Sequence, residues 1–380
     1  MKHCQLPMNT HELPPELWLL IFDIALLPNN DFSVDEYEAF QPSPTQRNAQ
    51  HHEDALQLAL VCYTWHSLLL PTLCKDIKLC GRQIPLPQHV RRVVLPYTTT
   101  TMVIHPHNPS AVVEQLQRFI QIETLCRPAA LAIGKPLPGP PAIALPSLRR
   151  LEWCHLPHLD HSGGINSLLD VLSQCPSIRY LFVSGLTHQT PLLDTQRDTH
   201  VPTLETLRLR YSNDDFLQIL CRWSLPRLKA VIFDIPLTWS HYYTSSFSDF
   251  WIKFGRNLVR VELGKDIGFR TGDYLTNCLR GCPALQDLGF YVFFTACPSR
   301  VLQPIRHRSL RRVHLHAAPY GFLNTQETWS ALREHMAALN HPGMERLTTF
   351  HKHGEWDALV HDPQWSAIED GVTAQGREFV

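Results

Sequence analysis

One phrase recurs from residue 146 onward and limits what this chain can fold into: Leu-x-x-Leu-x-apolar, headed in five of its seven copies by Pro-x. The first apolar position stands at 148, 178, 204, 228, 258, 285 and 310, so the copies are 30, 26, 24, 30, 27 and 25 residues apart. A short alternating apolar phrase predicts a strand. Strands that recur every 24–30 residues predict repeat units stacked on one another, because one unit alone cannot bury its apolar side.

Helical patterns fill the spaces between these copies, for example at 168–172 and 216–220. Steps in the twenties and the Leu-x-x-Leu-x-Leu core are typical of leucine-rich repeats. We therefore predict an α+β or α/β chain with an irregular strand–helix solenoid over residues 85–350 and a C-terminal tail or cap over 351–380. Weaker copies are predicted at 90–95, 131–133 and 344–347. A general α/β protein with several Pro-headed strands stays open as the alternative.

The first part of the chain, residues 10–80, has a helical pattern instead. Proline at 14 and 15 and an acidic residue at 16 favour a helix that starts there. Large apolar residues then follow at i, i+3, i+4 and i+7, on one stripe: Leu17, Leu20, Ile21 and Ile24. A second helix is predicted over 53–70, stopped by Pro71. The polar segment 29–52 between them predicts a loop that makes few contacts.

These helices carry two motifs in a fixed order. The first is Leu13-Pro14-x-Glu16-Leu17 followed by Ile21-Phe22, and the second is Val61-Cys62-x-x-Trp65-x-x-Leu68. With them, residues 10–80 resemble the F-box of F-box proteins, and the whole chain is similar to F-box proteins with leucine-rich repeats. The resemblance implies a small helical bundle that binds a Skp-type adaptor and, through it, a cullin. It assigns the adaptor contact to six residues: Leu13, Pro14, Leu17, Ile21, Val61 and Trp65.

A plainer interpretation of the same helices is a hairpin whose apolar residues all face an internal core. Two helices that are apolar around most of their circumference carry more apolar surface than one small bundle hides, which favours an external partner. The buried aliphatic and aromatic residues of such a contact would supply most of its binding free energy.

Composition excludes several classes of function. With 34 basic and 35 acidic side chains, the net charge of −1 gives no general attraction to nucleic acid or to anionic lipid. The longest apolar run, 17–27, has 11 residues and contains Asp23, so no membrane span is predicted. The 11 cysteines are scattered without a C-x-x-C pair, which favours buried thiols in a reducing compartment. We expect a cytoplasmic protein, with the nucleus open as a second location.

Catalytic and metal-binding patterns fail at each place where residue types suggest them. Cys154, His155, His158 and His161 lie close together, but their spacing matches no zinc site. His314 and His316 share a strand face beside Arg312, whose charge disfavours a cation. The chain has no phosphate-binding glycine loop and no nucleophile elbow. We expect no enzyme activity, no catalytic residue, no metal and no cofactor.

The predicted function is recognition of a substrate protein for a cullin–RING ubiquitin ligase, with the repeats holding an unidentified target. An interaction scaffold that acts without ubiquitin transfer stays open as the alternative. Period-2 alternation predicts which side chains leave the core and are exposed on the sheet. The residues predicted there to bind the target are Arg150, Tyr180, Phe182, Arg208, Ile232, Arg260 and Arg312. Their excess of positive charge favours an acidic or phosphorylated segment of a protein.

Overall fold

The computed structural model describes 15 stretches of the chain. They are residues 13–26, 39–41, 53–79, 84, 86–95, 109–127, 144–154, 168–184, 198–210, 214–234, 244–265, 267–270, 272–298, 306–318 and 325–380. Three helices come first, and strands alternating with helices follow. The strands form one sheet of 12 parallel strands whose spatial order is their chain order.

The sheet begins inside the segment predicted to be helical and continues into the predicted tail. Its strands are β1 Asp76–Lys78, β2 Arg92–Val94, β3 Thr124–Arg127, β4 Arg150–Cys154, β5 Tyr180–Ser184, β6 Thr206–Arg210, β7 Ala230–Phe233, β8 Arg260–Leu263, β9 Asp287–Tyr291, β10 Arg312–Ala317, β11 Thr349–Gly354 and β12 Glu378–Phe379. The helices are α1 Pro15–Ala25, α2 at residues 53–59, α3 Tyr63–Leu73, α4 Pro109–Arg118, α5 Leu168–Ser173, α6 Asp214–Leu220, α7 Thr244–Phe254, α8 Tyr274–Gly281, α9 Thr325–Leu339, α10 Asp357–Val360 and α11 Pro363–Thr373.

The repeated phrase sets the register of the sheet. Its second apolar positions pair with one another from strand to strand and are fully buried: Leu151, Leu181, Leu207, Val231, Val261, Leu288 and Val313. The helices cover this side of the sheet. On β7, for example, the ring centre of Phe233 lies 4.9 Å from that of Phe247 and 5.7 Å from that of Trp251, both on α7. The mixed α/β solenoid is therefore built as the repeat predicts.

A turn before each strand explains the proline that heads most copies. The N–H of Leu148 donates to the carbonyl of Leu145 at 3.2 Å, and proline suits the second position of such a turn. The copy at 310 has no proline. There the buried imidazole of His307 holds the turn instead. Its Nδ1 accepts from the N–H of Leu310 at 3.0 Å, and its Nε2 forms a hydrogen bond with the Cys282 carbonyl at 3.0 Å. Burial lowers the pKa of His307.

Several details differ from the sequence-based predictions. The copy at 344–347 is shifted by three residues: Phe350, not Leu347, pairs with Val313, because Met344 fills the turn position before the strand. Strand β3 was not predicted, and the copy predicted at 131–133 lies outside the described residues.

The C-terminal segment extends the sheet rather than only covering it, because β12 pairs with β11. Trp356 and Trp365 are buried against each other, with ring centres 5.4 Å apart. The buried Arg377 donates to the carbonyls of Leu339, Leu347, His341 and Met344. One guanidinium thus satisfies the backbone at the end of α9 and before β11.

The N-terminal helices pack around a small core of their own. Trp65 of α3 lies with its ring centre 4.9 Å from that of Trp18 and 5.1 Å from that of Phe22. The single helix predicted over 53–70 is wrong: the chain breaks at 60–62, where Cys62 caps α3 and its Sγ accepts from the N–H of Trp65 at 3.4 Å. Pro71 does not stop α3, which runs on to Leu73, since a proline in the last turn removes a single backbone bond. Among the described residues, none of the helices combines the length and apolar character needed to cross a membrane.

Candidate protein-interaction surfaces

The first candidate site is one side of α1, called here the helical surface and formed by Leu17, Leu20, Ile21 and Ile24. These side chains are 45%, 55%, 40% and 60% exposed. Helix α1 instead turns Phe22 into the bundle core, and Leu26, directly after the helix, is buried there too. The interpretation in which all apolar residues face an internal core is therefore wrong, because the stripe at i, i+3, i+4 and i+7 points away from it.

The six residues predicted to bind an adaptor divide into two groups. Five are exposed in the structure: Leu13, Pro14, Leu17, Ile21 and Val61. The sixth, Trp65, is half-buried in the aromatic contact with Trp18 and Phe22. Truncating Trp65 would therefore disturb the bundle as well as any contact made through it.

The second candidate site is the side of the sheet opposite the helices, called here the charged face. Two rows of side chains cross it in register. One row is Arg150, Tyr180, Thr206, Ala230, Arg260, Asp287 and Arg312. The next is Glu152, Phe182, Arg208, Ile232, Glu262, Gly289 and His314. The structure therefore brings all seven predicted target-binding residues onto one face.

The expected exposure of these residues is wrong for most of them. Arg260 is half-buried and Arg312 is exposed, whereas the other five are buried: Arg150, Tyr180, Phe182, Arg208 and Ile232. The cause is lateral packing along the rows. The guanidinium of Arg150 lies 4.2 Å from the ring centre of Tyr180, and its Nε is 2.8 Å from Oε1 of Glu152. Burial raises the pKa of the Tyr180 hydroxyl.

Asp234, which directly follows β7, organises the middle of the charged face. Its carboxylate accepts from Nε of Arg208 at 2.9 Å and from Nε of Arg210 at 3.0 Å. Burial alone would lower the pKa of Arg208, but coulombic interactions with Tyr180 and Asp234 raise it overall. The arginine is thus a fixed charge, held in place by Asp234.

A segment from the N-terminal part lies on this face. Ala39 is buried, and Phe40 and Gln41 are half-buried. The N–H of Phe40 donates to Oε2 of Glu262 at 3.0 Å, and Nη2 of Arg208 donates to the carbonyl of Gln41 at 2.9 Å. The expectation that segment 29–52 makes few contacts is therefore wrong for residues 39–41, and the rest of it lies outside the described residues.

The ring of Phe40 lies in an aromatic cluster at strands β9 to β11. Its centre is 5.0 Å from Tyr291, 5.0 Å from His316 and 5.1 Å from His353, each ring meeting it edge to face. We call these three residues, with Glu262 and Arg208, the Phe40 seat.

Two imidazoles at this place, His316 in the seat and His314 beside it, have lowered pKa values. His314 Nδ1 lies 3.1 Å from His353 Nε2, a bond in which one ring donates and the other accepts. Burial and the neighbouring His351 and His353 lower the pKa of His314 to about 4. Burial, His353 and Lys265 lower the pKa of His316 to about 4.

Sequence reasoning did not find Phe40, Tyr291, His316 or His353 as a site. An available signal was the adjacent apolar pair Ala39-Phe40 in the mostly polar segment 29–52, which also contains Phe32, Val34 and Tyr37. Nothing in the local pattern relates that pair to Glu262, which is 222 residues further along the chain.

Comparisons with known proteins give weak likenesses. No protein-family model matches the chain, and no curated protein matches it in sequence. Among the solved structures that the chain partly resembles are the following three. A protein from Bacteroides fragilis has 10% identity and a TM-score of 0.38 over 82% of this chain and 68% of its own. The TLR13–ssRNA13 complex has 15% identity and a TM-score of 0.33 over 72% of this chain and 35% of that one. The leucine-rich repeat-containing protein LegL7 from Legionella pneumophila has 13% identity and a TM-score of 0.32, over 80% and 89%. These scores are too low to assign a function.

Proposed function

We propose that this chain is a non-catalytic substrate-recognition subunit of a cullin–RING ubiquitin ligase. Its N-terminal helices bind a Skp-type adaptor, and its repeats bind a target protein. The helical surface carries the proposal, because α1 leaves five large apolar side chains exposed, the four of the helical surface and Leu19, while Phe22 closes the bundle. Contiguous exposed apolar side chains of this kind mark protein contacts more often than they mark a free surface.

The motif residues support the same assignment. Leu13, Leu17, Ile21 and Val61 are 41%, 45%, 40% and 62% exposed. These are positions that the F-box resemblance gives to the adaptor. A purely structural role for the motifs would have buried them, as it buries Phe22.

The role of the chain in such a complex is to bring two proteins together. A target held on the repeats and an adaptor held on the helices are at a high effective concentration relative to each other. The transfer chemistry then belongs to the rest of the ligase, and the proposal places no reacting group on this chain.

Adaptor binding is tested with Leu17→Ala combined with Ile21→Ala and a purified Skp-type adaptor. Each truncation of an apolar anchor costs about 2 kcal/mol, or roughly thirtyfold in affinity. Both side chains point into solvent, so the double variant should unfold at the same temperature as the parent chain. The matched control is Ile252→Ala, which removes a 77% exposed isoleucine from α7.

A folded double variant that binds the adaptor as tightly as the parent chain would contradict the proposal. A complex that contains the adaptor but recruits no cullin in a pull-down would point instead to a scaffold that acts without ubiquitin transfer.

A further inference from the structure

The Phe40 seat holds its occupant through groups that many peptides could supply. Two of its contacts are to the main chain: the Phe40 N–H donates to Glu262, and the Gln41 carbonyl accepts from Arg208. The remaining specificity comes from one aromatic ring among Tyr291, His316 and His353. A donor, a ring and an acceptor on two consecutive residues form a pattern that a segment of another protein can present.

Gly289 of β9 lies next to two groups at this site, Glu262 and the ring of Phe40. A side chain at Gly289 would place its Cβ 3.4 Å from Cζ of Phe40 and 3.3 Å from Cγ of Glu262. The contact to Glu262 is tighter than most Cβ contacts and would require that side chain to move by a few tenths of an ångström, whereas the contact to the Phe40 ring is at the lower limit of ordinary van der Waals distance. Glycine at this point of β9 therefore lets Glu262 keep its position beside Phe40.

The occupant is held at some cost to its own backbone. Phe40 has φ of +59°, and it is the non-glycine residue with positive φ in the described part of the chain. The left-handed region is unfavourable for an ordinary L-residue, because its Cβ comes too close to the following carbonyl oxygen. The ring and main-chain contacts of the seat therefore hold Phe40 against local strain, which a competing segment need not share.

We propose that the charged face binds a short segment of a partner protein through one aromatic side chain, and that residues 39–41 are an internal copy of that ligand. The partner segment presents a main-chain N–H to Glu262, an aromatic ring to the seat, and a main-chain carbonyl to Arg208. The inference rests on the proposed function in that the sheet is the side that receives the target. Because the internal copy is tethered, a partner must exceed its effective concentration to displace it.

The test uses a fluorescent peptide with the sequence of residues 35–44 as the probe, added to the full chain and to a Phe40→Ala variant. Phe40→Ala removes the ring from the seat and leaves the internal segment with its main-chain contacts alone. We therefore expect this variant to bind the probe at least tenfold more tightly than the parent chain does. A probe in which the phenylalanine is alanine should not bind either chain. Adding Glu262→Gln to Phe40→Ala should weaken the probe about tenfold, since the amide oxygen of glutamine accepts the same bond without the charge that strengthens it.

Two further measurements keep the test decisive. Phe40→Leu conserves most of the buried volume but loses the ring contacts, so it gives an answer if Phe40→Ala does not fold. The ring protons of His316 and His353 should shift in NMR spectra of either variant and return when the probe is added.

Equal probe affinity for the parent chain and a folded variant would overturn the proposal and make residues 39–41 a fixed part of the fold. This outcome is independent of the adaptor. Leu17→Ala with Ile21→Ala should leave probe binding unchanged, and Phe40→Ala should leave adaptor binding unchanged.

Discussion

The N-terminal helices and the sheet distribute their side chains in opposite ways. Helix α1 leaves apolar side chains such as Leu20 and Ile24 in solvent, at 55% and 60% exposure. The sheet buries charged ones, including Arg208 at 4% and Glu262 at 3% exposure. Covering an exposed apolar side chain with a partner lowers the free energy. A buried charged pair has no such gain left, and it fixes the geometry of its groups. The difference separates a surface that leaves apolar side chains in solvent from one whose charged groups are held by other groups of the chain, including Phe40 and Gln41.

The largest expected loss of stability comes from a truncation on the buried side of α1, compared with one on its exposed side. Phe22→Ala removes a ring from the bundle core and should lower the free energy of unfolding of the helical part by about 3–5 kcal/mol. Ile24→Ala, two residues away on the helical surface, should change it by about 0.5 kcal/mol or less. Circular dichroism at 222 nm during urea unfolding measures both. Equal losses would mean that the helical surface is packed rather than free.

A smaller loss is expected from the charged face. Asp234→Ala leaves the buried Arg208 without its carboxylate and should cost about 3 kcal/mol. Glu345→Ala is the matched control, because it breaks the exposed pair with Arg308, whose side chains are 85% and 50% exposed. That loss should stay below about 1 kcal/mol. Thermal unfolding of the two variants decides whether the ion pairs of the sheet are structural.

The smallest effect should follow from acid. The pKa of His314 and of His316 is lowered to about 4, while an unfolded histidine titrates near 6.5. Between these values the unfolded chain binds protons that the folded chain does not, so stability should fall as pH drops from about 6.5 to 4. After allowance for partial exposure, the pair should contribute about 1–2 kcal/mol.

Urea midpoints at pH 7 and pH 4.5 measure this loss, and a His314→Gln/His316→Gln variant isolates it from the carboxylates that titrate in the same range. The double variant should lose less stability on acidification than the parent chain. An identical loss in both would mean that these rings are protonated freely in the fold.

The local sequence pattern was enough to predict the repeats, but not which of their outward-facing side chains are buried. Alternation places Leu151 inward and Arg150 outward, and the strand pairing follows, because each is decided by period 2 along one strand. Whether Arg150 meets solvent depends on Tyr180 of the next strand, which the alternation of one strand does not include. The copy at 344–347 was predicted three residues too early, because Met344 and Leu347 are equally suited to the first apolar position of the phrase.

The candidate sites, too, were predictable from the sequence only where a local pattern determines them. The apolar stripe of α1 was visible in the sequence, but its orientation depends on which side Trp18, Phe22 and Trp65 close the bundle. The Phe40 seat lies within residues 208–353 and its occupant is at residue 40, and no spacing rule connects the two.

The strict chain order of the 12 strands has a consequence for how the molecule is made. During synthesis each new strand can add to the edge left by the one before it, so the sheet can grow while the chain is still being extended, as stacked repeats do. Phe40 is the exception. It is translated early, yet His353, which lines its seat, is on β11, near the end of the sheet. Its docking is therefore a late event, and the occupied seat distinguishes a finished solenoid from one that is still growing.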